Sequence, residues 1–129
     1  ASNPDILVLD EPTVGLDPLT KEELLQFLKK LNEETHKSII LITHDMDVVG
    51  KYAKRVIVLN KGEVKYDGLK TELFKNEEII KSCDLNYPNI VKIMMGLKEK
   101  LNIDFDVFQY TIEDAYKEIK SKVGGSNER

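Results

Sequence analysis

Two short apolar runs separated by one amphipathic segment most constrain the fold of this chain. Residues 6–9 and 38–43 are branched, almost uninterrupted apolar stretches, typical of strands buried on both faces of a sheet. Between them, residues 18–34 place leucine and phenylalanine at helical spacing, with Lys and Glu on the opposite face. Because a strand–helix–strand crossover returns the chain parallel to itself, the sequence predicts an α/β fold with a parallel sheet.

Acidic and imidazole side chains follow these two strands at the point where each strand ends. Asp10 and Glu11 come directly after the first run, and His44 follows the second. Parallel strands joined by a crossover end at the same edge of a sheet, and ligands of open α/β sheets bind there, so we expect these side chains to gather at one rim. The Asp-Glu pair matches the Walker B arrangement, in which the first carboxylate suits Mg²⁺ and the second acts on the attacking water. The alternative is a strand that simply ends in solvated acids.

The rest of the chain is predicted to add a hairpin and several short helices. Asp45 is the predicted N-cap of the next helix, and residues 60–63 form the hairpin turn. From residue 76 onward, short helical stretches alternate with polar joints, so we place a domain boundary between residues 75 and 76. The predicted elements are helices at 46–53, 71–75 and 112–122 and strands at 56–59 and 64–68. A further helix follows Pro88, with Ile90, Ile93, Met94, Leu97 and Leu101 on its buried face, and residues 124–129 are expected to be a frayed tail.

The residues around the acidic pair resemble a known family. The sequence LDEPTVGLDP at residues 9–18 resembles the Walker B motif and D-loop of ABC ATPases almost position for position. The sequence ITHDM at residues 42–46 is similar to the switch-histidine region of the same family. The resemblance implies a partial P-loop NTPase fold, a parallel sheet with flanking helices, followed by a small, mostly helical C-terminal extension. It assigns residues 1–75 to the ATPase core and 76–129 to an extension for dimerisation or regulation.

The same resemblance implies a role for each candidate site residue. Asp10 would be the Mg²⁺ ligand, Glu11 the catalytic base, and His44 a second catalytic residue that senses the γ-phosphate of ATP and positions Glu11. Gly15 and Asp17 would be the cofactor-binding residues, in the loop that reaches across an ATPase dimer. The local alternative is that Gly15 permits a turn with positive φ and that Asp17 is only the N-cap of the helix beginning at Pro18.

Two phosphate-binding motifs do not occur in these 129 residues. The chain contains neither a Gly-x-x-x-x-Gly-Lys-[Ser/Thr] loop nor a Ser-Gly-Gly-Gln-like signature. The sequence also opens at Ala1 without a Met, which we interpret as an internal position in a longer protein. We therefore expect the complete protein to use ATP and Mg²⁺, and this fragment to bind neither and to be inactive. We also expect an unpaired strand edge and uncovered apolar surface.

Composition limits the partners and the compartment. The net charge is −4, and the lysines are dispersed, which argues against nucleic acid as a partner. The single cysteine, Cys83, has no partner within the chain for a disulfide, which favours a reducing cytoplasm. No apolar run approaches the ~18 residues of a membrane-spanning helix.

The C-terminal half resembles the extension of energy-coupling-factor and cobalt-type importer ATPases. The similarity lies in residues 64–74, in LNYP at 85–88 and in YTIEDA at 110–115. It implies an ATPase subunit of an energy-coupling-factor, cobalt or vitamin import system. The implied partners are a second ATPase subunit, identical or not, and a transmembrane permease, on the cytoplasmic side of the membrane. The alternatives are a soluble non-transport ABC-type ATPase and a dimerisation module carried on an ATPase scaffold; a helicase fits the motif continuation poorly.

Overall fold

The computed structural model describes residues 5–123, and the chain divides into two compact units, residues 1–45 and 46–129. The first unit contains β1 (Ile6–Asp10), α1 (Pro18–Thr35) and β2 (Ser38–Ile42). The second contains α2 (Met46–Tyr52), β3 (Arg55–Asn60), β4 (Glu63–Leu69), α3 (Lys70–Lys75), α4 (Glu77–Ser82), α5 (Asn89–Leu101) and α6 (Ile112–Val123). The predicted domain boundary at residues 75 and 76 stays a prediction. The predicted frayed tail lies outside the described residues.

The first unit is the predicted βαβ crossover. β1 and β2 pair in parallel, from Ile6 opposite Ser38 to Asp10 opposite Ile42. α1 begins with Pro18 in its first turn, where the missing N–H costs nothing. It ends at His36, whose left-handed backbone (φ 59°) and N–H bond to a carbonyl of the last turn close the helix. The local pattern of this segment therefore fixes its elements to within a residue or two.

The burial of β1 and β2 differs from the prediction. Their side chains alternate between more and less buried positions instead of being enclosed on both faces. Ile6, Val8, Ile40 and Ile42 are 47–56% exposed, so the expected uncovered apolar surface is present on one face. The physical reason is that, within the described part of this unit, a single helix contacts a two-stranded sheet.

The second unit begins with a helix and an antiparallel hairpin. β3 and β4 pair from Arg55 opposite Leu69 to Asn60 opposite Glu63, as predicted. Lys61 and Gly62 both have positive φ (54° and 78°), as a type I′ turn requires. The Lys-Gly pair thus gives the hairpin the tight connection that the sequence indicated.

The core of the second unit consists of two apolar clusters that share Phe108 at their margins. The first contains Val49, Val58, Leu73, Phe74 and Ile80, and the second contains Met94, Phe105, Val107 and Ala115. In α5 the fully buried residues are Val91 and Met94, whereas Ile93 and Leu101 are 57% and 50% exposed. The predicted buried face of α5 was therefore wrong at Ile93 and Leu101, because the stripe that packs is rotated toward Val91.

α2 is attached closely to the segment that starts α5. The Asp47 carboxylate accepts hydrogen bonds from the backbone N–H of Asn89 (2.7 Å) and from its side-chain amide (2.8 Å). A Cβ at Gly50 would lie 2.9 Å from Cγ of Pro88 and 3.1 Å from Cδ1 of Tyr110. A side chain at residue 50 would therefore require the Pro88 and Tyr110 rings to shift, which favours glycine at this close approach.

One buried hydroxyl in this region predicts a stabilising substitution. The Tyr110 hydroxyl is buried without a hydrogen-bond partner among the described residues, and this burial, with a smaller contribution from Asp106, raises the Tyr110 pKa to about 12. We expect Tyr110→Phe to raise the free energy of unfolding by about 1 kcal/mol, because it removes an unpaired polar group. Urea unfolding followed by tyrosine fluorescence measures this, since all five tyrosines lie beyond residue 45.

The same substitution should change the pH dependence of stability. The folded state holds the Tyr110 proton more tightly than the unfolded state, because burial raises the Tyr110 pKa to about 12. The stability that this difference contributes is therefore fully present below about pH 10 and is lost as the pH rises toward about 12. Tyr110→Phe should flatten this decline, whereas the control Tyr116→Phe, at a 61% exposed position, should leave it unchanged. A Tyr110→Phe protein that is less stable than the original at neutral pH would contradict the assignment.

Candidate active site at the edge of the parallel sheet

The carboxyl ends of β1 and β2 are joined by one hydrogen bond beyond the last residue pair. Asp10 lies opposite Ile42, and the N–H of Glu11 donates to the Ile42 carbonyl at 2.7 Å. Glu11 has φ 50°, a left-handed conformation that residues with a Cβ rarely adopt. A strained backbone held by a neighbouring strand is a recurrent feature of functional sites.

The two predicted catalytic side chains meet at this edge. Nδ1 of His44 lies 2.7 Å from Oε2 of Glu11, which is the distance of a hydrogen bond or, with a protonated imidazole, an ion pair. The Glu11 side chain is 31% exposed and the His44 side chain is 89% exposed. The arrangement leaves the carboxylate accessible to water while an imidazole N–H orients it.

Asp10 lies at the same edge, exposed at the last position of β1. Within the described residues, no three His, Cys, Asp or Glu side chains form a group that could hold a metal ion by themselves. Mg²⁺ is commonly held by one or two carboxylates together with phosphate oxygens and water, so a single exposed carboxylate such as Asp10 is a candidate ligand. The Mg²⁺ role of Asp10 stays a prediction.

Two consecutive turns connect β1 to α1. The Val14 N–H donates to the Glu11 carbonyl at 3.3 Å, and the Leu16 N–H donates to the Thr13 carbonyl at 3.2 Å. Gly15 has φ 85°, and a Cβ built there would meet nothing within 4 Å. The positive φ therefore favours glycine at residue 15. The surrounding space would accommodate a side chain, so steric crowding is not the reason for the glycine.

Asp17 ends this connection as the N-cap of α1. Its carboxylate accepts hydrogen bonds from the N–H groups of Leu19 (3.1 Å) and Thr20 (3.2 Å) and from the Thr20 hydroxyl (2.6 Å). The hydroxyl bond is the main cause that lowers the Asp17 pKa, followed by the backbone bond to Thr20. The capping interpretation is confirmed, and the nucleotide-binding role of Gly15 and Asp17 stays a prediction.

A further ionic contact near the site was not predicted from the sequence. Lys21, in α1, is bonded through Nζ to the carboxylate of Asp45, which follows His44 directly. The two residues are 24 positions apart, and no short motif links them. The sequence indicated Asp45 only as the cap of α2, because a lysine on the polar face of a helix gives no sign of its partner.

Within residues 5–123, no helix combines the length and the apolar character that a bilayer crossing requires.

Comparison with known families gives a match of residues 1–50 to the family described as "AAA domain, putative AbiEii toxin, Type IV TA system". That match covers less than half of the chain. Relatives that align with nearly all of it are therefore more decisive.

Curated relatives and one solved structure agree on the family. The energy-coupling factor transporter ATP-binding proteins EcfA2 of Clostridium tetani and Clostridioides difficile are 42% and 40% identical over 92% and 97% of this chain. The chain belongs to the ABC ATPase family. CbiO1 of Clostridium perfringens, described as part of the ABC transporter complex CbiONQ, superposes on 71% of the chain and 37% of its own with a TM-score of 0.53 and 38% identity. The prediction of an ABC ATPase fold is confirmed.

The chain is shorter than the ABC ATPases that it matches. It spans 41% and 43% of the length of the two EcfA2 proteins. The activity, substrates and partners of the whole relatives are therefore only proposals for this chain.

Proposed function

We propose that the complete protein carrying this chain is the ATP-hydrolysing subunit of an ABC-type import system of the energy-coupling-factor or cobalt class. The observation that carries the proposal is the contact of Glu11 with His44 at the edge of the parallel sheet. A carboxylate held in place by an imidazole at a ligand-binding sheet edge can accept a proton from a water molecule. The family membership supplies the substrate, ATP.

Each site residue has a distinct part in this proposal. Glu11 orients and deprotonates the water that attacks the γ-phosphate, and the His44 N–H fixes the Glu11 carboxylate. Asp10 would hold Mg²⁺, which supplies charge neutralisation on the phosphates when it is bound. Gly15 and Asp17 shape the loop between Glu11 and α1, which would face the nucleotide or the second subunit.

The partners in the proposal are a second ATPase subunit and a transmembrane permease, at the cytoplasmic side of the membrane. The names of the relatives support this, because they describe energy-coupling factor transporter subunits and a part of a CbiONQ complex. Purification of the complete protein from solubilised membranes tests it. Recovery with an integral membrane protein is expected, whereas recovery only from the soluble fraction would favour a non-transport ABC-type ATPase.

Residues 1–129 by themselves are expected not to bind Mg-ATP with micromolar affinity. The chain contains no Gly-x-x-x-x-Gly-Lys-[Ser/Thr] loop, so it offers no cradle of backbone N–H groups for the β-phosphate. Isothermal titration of Mg-ATP into the purified chain measures this, and the complete protein is the positive control. Micromolar binding with hydrolysis by the isolated chain would contradict the assigned requirements of the site.

A further inference from the structure

The place of the His44 ring is not fixed by packing. The His44 side chain is 89% exposed, and its ionic contact in the structure is with the Glu11 carboxylate. A freely rotating imidazole would spend much of its time away from Glu11, because an exposed side chain loses conformational entropy when it is held in one position. The backbone that carries His44 must therefore restrict where the ring can reach.

The residues on both sides of His44 are anchored. The N–H of Asp45 donates to the Thr43 hydroxyl at 3.0 Å, which closes the backbone around His44. The Asp45 carboxylate is bonded to Nζ of Lys21 in the first turns of α1. The Lys21 and Asp45 side chains are only 31% and 30% exposed, so solvent screens this pair less than a fully exposed one.

The same pair joins the two loops of the site. Lys21 belongs to the helix that Asp17 caps, and its N–H donates to the Asp17 carbonyl at 2.9 Å. The connection that starts at Glu11 thus ends at α1, and Lys21 of α1 binds the Asp45 carboxylate. One ion pair therefore links the segment that bears the carboxylate to the segment that bears the imidazole.

We infer that Lys21 and Asp45 are positioning residues, which hold the turn carrying His44 so that its imidazole reaches Glu11. The inference rests on the proposed function. Lys21 and Asp45 are assigned no contact with Glu11 or with the reacting water, so they act only through the position of His44. Breaking the pair should slow the chemical step and leave nucleotide binding intact. A 1 Å misplacement of a catalytic group can cost about 10²-fold in rate, so a partial loss of about tenfold is the expected size.

The test uses the complete protein and measures kcat and KM for ATP. Lys21→Met keeps the length and apolar stem of the side chain, and Asp45→Asn keeps the N–H bond to Thr43. Each is expected to lower kcat about tenfold with KM changed less than about twofold, and the double variant should be no slower than either single one. Lys21→Arg should keep most of the activity, because a guanidinium can still pair with Asp45. Lys29→Met, at an exposed position of α1, is the matched control.

The outcomes separate this inference from the proposed function. If Glu11→Gln stops hydrolysis while Lys21→Met and Asp45→Asn keep the original kcat, the positioning role is overturned and the function stands. If the two substitutions act additively, or raise KM without lowering kcat, the positioning role is overturned as well. If Glu11→Gln hydrolyses ATP at the original rate, the catalytic role of Glu11 fails, and the inference fails with it. Should Lys21→Met not fold, Asp45→Asn and Lys21→Arg decide by the same criteria.

Discussion

Glu11→Gln is expected to lower the kcat of ATP hydrolysis by the complete protein by about 10²–10⁴-fold, the usual contribution of a general base. The amide has nearly the same shape as the carboxylate, but it cannot accept a proton from water at neutral pH. The contact with Nδ1 of His44 at 2.7 Å can still form through the amide oxygen, so the backbone and the ring should keep their places. Steady-state release of inorganic phosphate measures the effect.

Nucleotide affinity separates loss of chemistry from loss of binding in this variant. Because Glu11 is assigned to the attacking water and not to the phosphates, the Kd of Mg-ATP should change less than about threefold, or about 0.65 kcal/mol. Glu23→Gln, an exposed residue of α1, makes the same change of charge and should retain full activity. A Glu11→Gln protein that hydrolyses ATP at a third or more of the original rate would exclude Glu11 as the base.

The edge of the parallel sheet could be predicted because its signals are local. One apolar run is followed directly by Asp10 and Glu11, and the second is followed by His44. Because a crossover makes the two strands parallel, these side chains are expected at the same edge of the sheet. The N-cap at Asp17 and the hairpin turn at residues 60–63 likewise depend on near neighbours in the sequence. These features follow from short-range chemistry.

Features that depend on distant packing could not be predicted in the same way. The bond between Lys21 and Asp45 joins a helix to a segment 24 residues away, and the residues next to Lys21 in the sequence do not indicate its partner. The positive φ of Glu11 accompanies a hydrogen bond to the neighbouring strand, and local propensity opposes this conformation. In α5, periodicity gave a helix but did not establish which of two overlapping stripes would be buried.

Phe74 is one of the largest fully buried side chains of the second unit, with no exposed surface. Its ring lies 6.4 Å from the ring of Tyr87 and 6.0 Å from that of Tyr110, both in tilted orientations, within the cluster that contains Val58 and Ile80. The hairpin, α3, α4 and the segment before α6 all contribute side chains to that cluster or its margin. Loss of this ring would therefore open a cavity at the place where these elements meet.

Phe74→Ala is expected to lower the free energy of unfolding by about 3–5 kcal/mol, because it removes the transfer energy of a buried ring and leaves a cavity. Since small domains are stable by only about 5–15 kcal/mol, this loss should remove a large fraction of the stability of the second unit. Urea unfolding followed by tyrosine fluorescence reports on this unit alone, because it contains all five tyrosines and the chain has no tryptophan.

Tyr116→Ala is the matched control for Phe74→Ala, because it removes an aromatic ring that is 61% exposed and leaves four tyrosines as reporters. Its urea midpoint should stay close to that of the original chain, since an exposed helical position accepts alanine readily. Equal shifts in the two variants would mean that Phe74 is no better enclosed than Tyr116. The apolar cluster around Phe74 would then not be the core that holds the hairpin and the C-terminal helices together.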